Sequence, residues 1–332
     1  MRVLTRLRAT ALLVPLAACS ASGAPAADAP ITVDARPIVS EPMIAGRLEL
    51  TGGFVLSSGD GEFGGLSGLL VEGERLTAET DRGHLWTARL SWDDEGRLRE
   101  PDGWGVLPFV PDGLDGHRDP DTEDIARMPS GDLAVALEGN HRILRYAGGD
   151  PRSAPASVAV PDGLADAPGN GGVEALTVLP SGGLLMLVEE LMRPDGRHAA
   201  WYQAGPDAPW QAFGYRAAEG FKPTSADVHD GFVYVLERRF ALPFGFAARV
   251  TRFPVAALRA DGDVEPEELA LLRAPFPVDN MEGLAVAPAP GGGADLYLVS
   301  DDNFMPLFQR TLLLQFHLQE AVAPVGPSVA GR

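Results

Sequence analysis

Short apolar runs recur along the chain at residues 133–137, 184–188, 232–236 and 296–299. Turns such as Pro180-Ser181-Gly182-Gly183 and Asp230-Gly231 separate them from the run before. Runs this short, apolar at successive positions and bounded by turn residues, predict strands buried on both faces. No sustained 3.6-residue period predicts a helix in the body of the chain. The runs belong to a larger repeat: a small or acidic residue, a strand, a glycine-containing turn, a second strand, then an acid. It occurs five times, and its leading residues Ser67, Glu123, Glu174, Asp227 and Glu282 stand 56, 51, 53 and 55 residues apart. Many short strands at a period near 50 predict an all-β fold, a single β-propeller with about four antiparallel strands per blade. The five repeats leave two strand-like stretches over, residues 47–56 and 311–318. They are expected to share a sixth blade that closes the ring and leaves only short edges exposed. A β-sandwich or a pair of β-domains is the alternative use of the same strands.

The N-terminus follows a different pattern. Arg2, Arg6 and Arg8 precede an apolar stretch at residues 9–18, too short to span a bilayer. The stretch ends in Leu16-Ala17-Ala18-Cys19, which is similar to a bacterial lipobox, and Cys19 is the only cysteine. Residues 1–18 are expected to be a lipoprotein signal, with Cys19 the lipidation site; an ordinary secretory signal cut near Ala18 or Ala24 is the alternative. Ser20 after the cysteine resembles outer-membrane rather than inner-membrane lipoproteins. The expected location is therefore periplasmic and lipid-anchored at the outer membrane, or secreted if Cys19 is not lipidated. Residues 19–37, rich in Ala, Pro and Ser, are expected to be a flexible tether. Residues 38–320 are then the propeller and 321–332 a C-terminal tail.

Charge narrows the choice of partner. Of 332 residues, 46 are Asp or Glu and 27 are Lys or Arg, a net charge of −19 that becomes −22 once residues 1–18 are removed. Such a surface argues against nucleic acid, which needs a basic face. One cysteine excludes a disulfide framework and a thiolate zinc cluster.

The repeat gives its acids a common place. In a hairpin, the start of one strand and the end of the next lie at the same edge. Glu123, Glu138, Glu174, Glu189, Asp227, Glu237, Glu282 and Asp301, with Asp81, Glu190 and Asp302 nearby, are therefore expected at one mouth of the ring. Carboxylates converging this way repel, at a cost on the order of 1 kcal/mol or more per close pair. Hard oxygen ligands without His or Cys suit Ca²⁺ or Mg²⁺ rather than zinc, and Ca²⁺ is the expected cofactor. The expected metal ligands are Glu123, Glu138, Glu174, Asp227, Glu237, Glu282, Asp301 and Asp302. The opposing reading is that each acid is solvated or holds a turn. Cationic side chains stand beside the acids: Arg82, Arg142, Arg238, Arg239 and the single lysine, Lys222. They either clamp an anionic substrate or neutralise the neighbouring acids. No Gly-x-Ser-x-Gly elbow, His-Glu-x-x-His or phosphate-binding glycine loop is present in the body. Asp119-x-Asp121-x-Glu123 begins like a calcium loop, but Asp124 stands where an EF-hand needs glycine.

Several pieces of the chain resemble the phytase-like family described as "esterase-like activity of phytase". They are Gly65-Leu66-Ser67-Gly68 with Thr80-Asp81-Arg82-Gly83; Arg118-Asp119-Pro120-Asp121-Thr122-Glu123; Glu174-Ala175-Leu176; Pro223-Thr224 with Leu236-Glu237-Arg238-Arg239-Phe240; and Asp279-Asn280-Met281-Glu282-Gly283-Leu284 with Val299-Ser300-Asp301-Asp302-Asn303-Phe304. The resemblance extends over residues 45–318 and implies a secreted or periplasmic β-propeller that hydrolyses phosphate or other esters. On that reading the partner is a small anionic ester or phosphate. Glu282 and Glu123 serve catalysis at a calcium site, Arg82 and Arg238 stabilise charge, and Arg142, Lys222 and Arg239 bind substrate. The membrane is reached only through Cys19. The competing expectation is a non-catalytic, lipid-anchored propeller that binds a ligand or a protein.

Overall fold

The computed structural model describes residues 29–108, 121–138, 141–260 and 262–319. Cys19, the signal and the C-terminal tail at 321–332 lie outside the described residues, as do Arg118, Asp119 and Pro120. Among the described residues there is no α-helix, only three short 3₁₀ turns, and no helix long and apolar enough to cross a membrane.

The strands form five sheets, each a blade and antiparallel but for one added strand in the third. Blade 1 is built from Leu66–Glu72, Arg75–Thr80, His84–Arg89 and Asp102–Pro108. Blade 2 holds Thr122–Arg127, Leu133–Leu137, Arg142–Tyr146 and Ala156–Val158. Blade 3 holds Val173–Val178, Leu184–Met192, His198–Gln203 and Trp210–Tyr215, with Gly262–Val264 added in parallel outside. Blade 4 holds Lys222–His229, Phe232–Ala241, Gly245–Pro254 and Glu267–Leu272. Blade 5 begins with Asn280–Pro288, Ala294–Asp301 and Thr311–Leu318. Each blade's first strand contacts the first strands of the blades before and after it, and that of blade 5 touches blade 1, so the ring closes.

The expected sixth blade is not formed. Leu48–Ser58 pairs along its length with Thr311–Leu318, from Leu48↔Leu318 to Leu56↔Thr311, and becomes the fourth strand of blade 5. The fifth repeat supplies only two strands, and the two stretches left over complete it. Joining the chain's two ends in one sheet also covers the edge that an open ring would leave. The tether expectation fails at its C-terminal end as well. Val33–Pro37 pairs with Leu48–Ser58 on blade 5, and Ala29–Pro30 pairs with Asp102–Pro108 on blade 1. Ala and Pro mask these strands in the sequence, but an outermost strand tolerates Pro because no partner needs its N–H.

Five apolar clusters fill the five seams between blades. This is why the strands are apolar on both faces: each blade buries one face against each neighbour. Trp86 is fully buried in the seam between blades 5 and 1, edge-on to Phe63 at 4.8 Å. Trp201 is buried between blades 2 and 3.

With only five first strands around it, the axis is narrow enough for one side chain to bridge blades. Asp124 Oδ2 accepts hydrogen bonds from Leu176 N on blade 3 at 2.8 Å and from Ala226 N on blade 4 at 3.3 Å. Ser225 Oγ donates to Asp124 at 3.2 Å and accepts from Leu284 N on blade 5 at 3.1 Å. This knot plugs the throat of the channel.

Candidate functional site

The ladder places the start of each first strand against the end of the second. The terminal pairs are Leu66↔Thr80, Thr122↔Leu137, Val173↔Val188, Lys222↔Arg238 and Asn280↔Asp301. All five lie at the same end of the ring. The ladder slips right after the terminal pair in blades 1 to 3 and one pair further inward in blades 4 and 5, and the residues left out of pairing are Ser67 with Gly68, Glu123, Glu174, Thr224 and Glu282. A β-bulge releases one residue from the alternation of the pleat and re-aims its side chain. Here it recurs in every blade, and in three of the five the released residue is glutamate.

The mouth formed this way gathers Asp81, Asp121, Glu123, Glu138, Glu174, Glu189, Glu282, Asp301 and Asp302. Carboxylate oxygens of Asp121, Glu123 and Glu138 lie within 4.8 Å of one another. Glu138 is held by the backbone amides of Gly171 and Gly172 from blade 3. Asp121 ties blades 1 and 2, its N–H donating to Asp81 O at 3.0 Å and its carbonyl accepting from Glu138 N at 2.8 Å. Asn280 Nδ2 donates to Glu282 Oε1 at 2.9 Å and to Asp301 Oδ2 at 3.1 Å, leaving its own buried Oδ1 without a partner among the described residues. Asp81 Oδ1 is likewise buried and unpartnered.

The electrostatics follow from burial and mutual repulsion. Burial, then the charge of Arg238 acting against it, sets Glu282 at about 8, with Asp301 adding upward pressure. Burial and the nearby Asp301 push Asp81 to about 7, and burial pushes Asp301 to about 6. Glu123 is held well above the carboxylate range by burial and by Glu282 and Glu138; Glu174 by burial, Glu123 and Glu189. Beneath them Glu79 is fully buried and pushed up by burial and Asp124. Its polar neighbour Thr122 already donates its hydroxyl to Thr80 O at 2.6 Å.

Two expected ligands are elsewhere. Asp227 lies near the far end of its strand, against Tyr234, where it accepts from Val228 N and Val286 N at 2.7 Å each. The equivalent of Glu123 in blade 4 is the neutral Thr224, so the acid three residues later has the wrong phase. Glu237 neighbours Arg238 in a strand, and successive side chains point to opposite faces. It is fully buried and accepts from Tyr215 Oη at 2.6 Å and Arg249 Nη1 at 2.9 Å. It is a structural ion pair of blade 4. Asp302 turns to the backbone instead, accepting from Gly65 N at 3.1 Å and Phe304 N at 3.2 Å.

The cations divide. Arg238 stands 3.2 Å from both Glu189 and Glu282, and Lys222 pairs with Glu190 and Glu189. Arg239 stacks over Phe221 at 4.6 Å and Arg82 over Phe304 at 3.3 Å. Arg142 is half-buried at the start of the third strand of blade 2. Asp124, Ser225 and Asn280, which organise the throat and the mouth, were not among the expected site residues. The Asp-x-Glu spacing at Asp121 was visible, and Asn280 stands two residues before Glu282.

Fold and mouth together define a five-bladed propeller with a carboxylate-lined opening. The chain belongs to the phytase-like family: the family profile described as esterase-like activity of phytase matches residues 61–304. No curated protein matches it. Among solved structures it is similar to a putative gluconolactonase at 15% identity, covering 88% of this chain and 91% of that one, with a TM-score of 0.43. It is also similar to the glutaminyl cyclase of Myxococcus xanthus at 14% identity, covering 77% and 92%, with a TM-score of 0.38. The PQQ-bound aldose sugar dehydrogenase of Streptomyces coelicolor is 14% identical over 87% and 100%, with a TM-score of 0.38.

Proposed function

We propose that the chain hydrolyses phosphate or other esters at the acidic mouth, with Ca²⁺ held there. The observation that carries this reading is the convergence of Glu123, Glu174 and Glu282, each released by a bulge, with Asp121, Glu138, Asp81 and Asp301. Buried carboxylates so close together keep protons at neutral pH unless a cation replaces them. The donor set is all oxygen, and the orphaned Oδ1 atoms of Asn280 and Asp81 fit a hard cation. Asp121, Glu123 and Glu138, whose carboxylate oxygens lie within 4.8 Å of one another, would hold the ion. When bound, Ca²⁺ would supply Lewis acidity toward an ester oxygen and make a nearby water easier to deprotonate.

The chain's own residues do the rest. Glu282 exchanges protons near neutral pH and takes one from the attacking water. The water oxygen bonds to phosphorus or to the acyl carbon as the bond to the ester oxygen breaks, and Glu282 returns its proton to that oxygen so that the alcohol leaves neutral. Arg238, fixed between Glu189 and Glu282, opposes the charge that builds on the substrate. Lys222 and Arg239 flank the opening on blade 4.

Purified protein assayed on an aryl phosphate, a carboxylic ester and phytate, with Ca²⁺ and with EDTA, tests the proposal. Turnover that requires Ca²⁺ and falls at least 100-fold in Glu282→Gln is expected. Calcium-dependent stabilisation without turnover of any ester would overturn the enzyme and favour the binding propeller.

A further inference from the structure

Beside the mouth, at the top of the seam between blades 5 and 1, lies a groove of about 520 Å³. Its walls include Val55, Leu56, Phe63, Phe304 and Pro306, and two arginines, Arg82 and Arg310, open onto it. Arg310 is steered by Asp279 at 3.1 Å and by Val278 O at 3.2 Å. Arg82 makes no ion pair among the described residues; its guanidinium carbon lies over the Phe304 ring, 3.3 Å from the centroid. Of the two acids in the wall, Asp302 spends one oxygen on Gly65 N and Phe304 N, and Asp60 accepts from Glu62 N at 3.0 Å.

The groove and the mouth share a wall one glycine thick. A Cβ on Gly65 would stand 2.4 Å from Asp81 Oδ1 on the mouth side and 2.7 Å from the Phe304 ring on the groove side. Phe304 itself is held with φ at +50°, a conformation disfavoured for a bulky side chain. The loop that follows leaves Leu307 90% and Phe308 80% exposed at the lip. Aromatic and aliphatic surface is unfavourable in water, so a monomeric surface rarely keeps such a cluster without a use.

Resting on the hydrolase reading above, we infer that this groove binds the leaving group and that the substrate is an ester of an aromatic alcohol. Its ring stacks on the Arg82–Phe304 platform while its ester group reaches past Gly65 into the mouth. A polyol phosphate, polar on every side, would leave the platform and the lip unused.

The test compares 1-naphthyl phosphate with methyl phosphate on calcium-loaded protein. For Phe304→Ala the naphthyl-to-methyl ratio of kcat/KM is expected to fall about 3- to 10-fold, and Phe304→Tyr to restore it. A second readout needs no turnover: the affinity for the non-hydrolysable 1-naphthylphosphonate should weaken by the same factor in Phe304→Ala. An unchanged ratio and unchanged affinity in an active enzyme would overturn the groove and leave the hydrolase standing. Phosphonate binding that depends on Phe304, in a protein that cleaves no ester, would keep the groove and overturn the hydrolase.

Discussion

The two ends of the central channel bury the same kind of side chain to opposite effect. At the far end, Asp227 is alone, and each of its oxygens accepts a short backbone hydrogen bond from Val228 or Val286. At the mouth, Glu123, Glu174 and Glu282 face one another, and Asn280, whose Nδ2 bridges Glu282 and Asp301, keeps its Oδ1 without a partner among the described residues. A buried carboxylate with fixed donors on both oxygens is part of the frame; several that share too few donors wait for a positive charge. Burial alone does not separate the cases: it pushes Asp227 and Asp81 alike to about 7.

The comparison breaks hardest at the throat. Asp124→Ala would strand Leu176 N, Ala226 N and Ser225 Oγ inside the ring, and we expect a loss of about 3–5 kcal/mol in denaturant unfolding. A loss below about 1 kcal/mol would mean that the blades do not depend on this knot. Glu237→Ala leaves Arg249 and Tyr215 without their buried acceptor. About 3 kcal/mol should go, with the calcium response intact; a lost calcium response would return Glu237 to the mouth.

A third prediction concerns pH. Glu282, Asp81 and Asp301 have folded pKa values raised to about 8, 7 and 6. The folded state therefore binds more protons than the unfolded chain between roughly pH 4 and pH 8. The melting temperature in EDTA should fall as pH rises through that window, and Ca²⁺ should raise it most at the alkaline end. A calcium effect that shrinks as pH rises would contradict the exchange of protons for a cation. The smallest effect sharpens the contrast. Glu282→Gln removes one repelling charge at the mouth and should stabilise the calcium-free protein at pH 8 by about 1 kcal/mol or less, whereas Asp227→Asn should cost a similar amount by turning an acceptor into a donor.

Much of this was legible in the chain. The repeat showed because each blade needs the same sequence of strand, glycine turn and strand, and because strands packed on both faces are apolar throughout. The shared edge of each hairpin put Glu123, Glu138, Glu174, Glu282 and Asp301 at one mouth. The errors have physical causes. Blade count depended on which strand Leu48–Ser58 pairs with, a contact between chain ends that leaves no local mark. Asp227 was misplaced because the bulge that sets the phase is a slip in the ladder, and blade 4 puts Thr224 at the slip. Glu237 was misplaced by the pleat, which turns it away from its neighbour Arg238. The groove at Phe304 went unseen because its walls come from residues more than two hundred positions apart in sequence, such as Phe63 and Phe304.

Calcium titration by calorimetry at about pH 7.5 addresses the central claim most directly, with wild type, the Asp121→Asn/Glu123→Gln/Glu138→Gln variant and Asp227→Asn side by side. The account predicts saturable binding in wild type and Asp227→Asn and at least a 100-fold loss of affinity in the triple variant. Equal binding in all three, or a loss confined to Asp227→Asn, would contradict it.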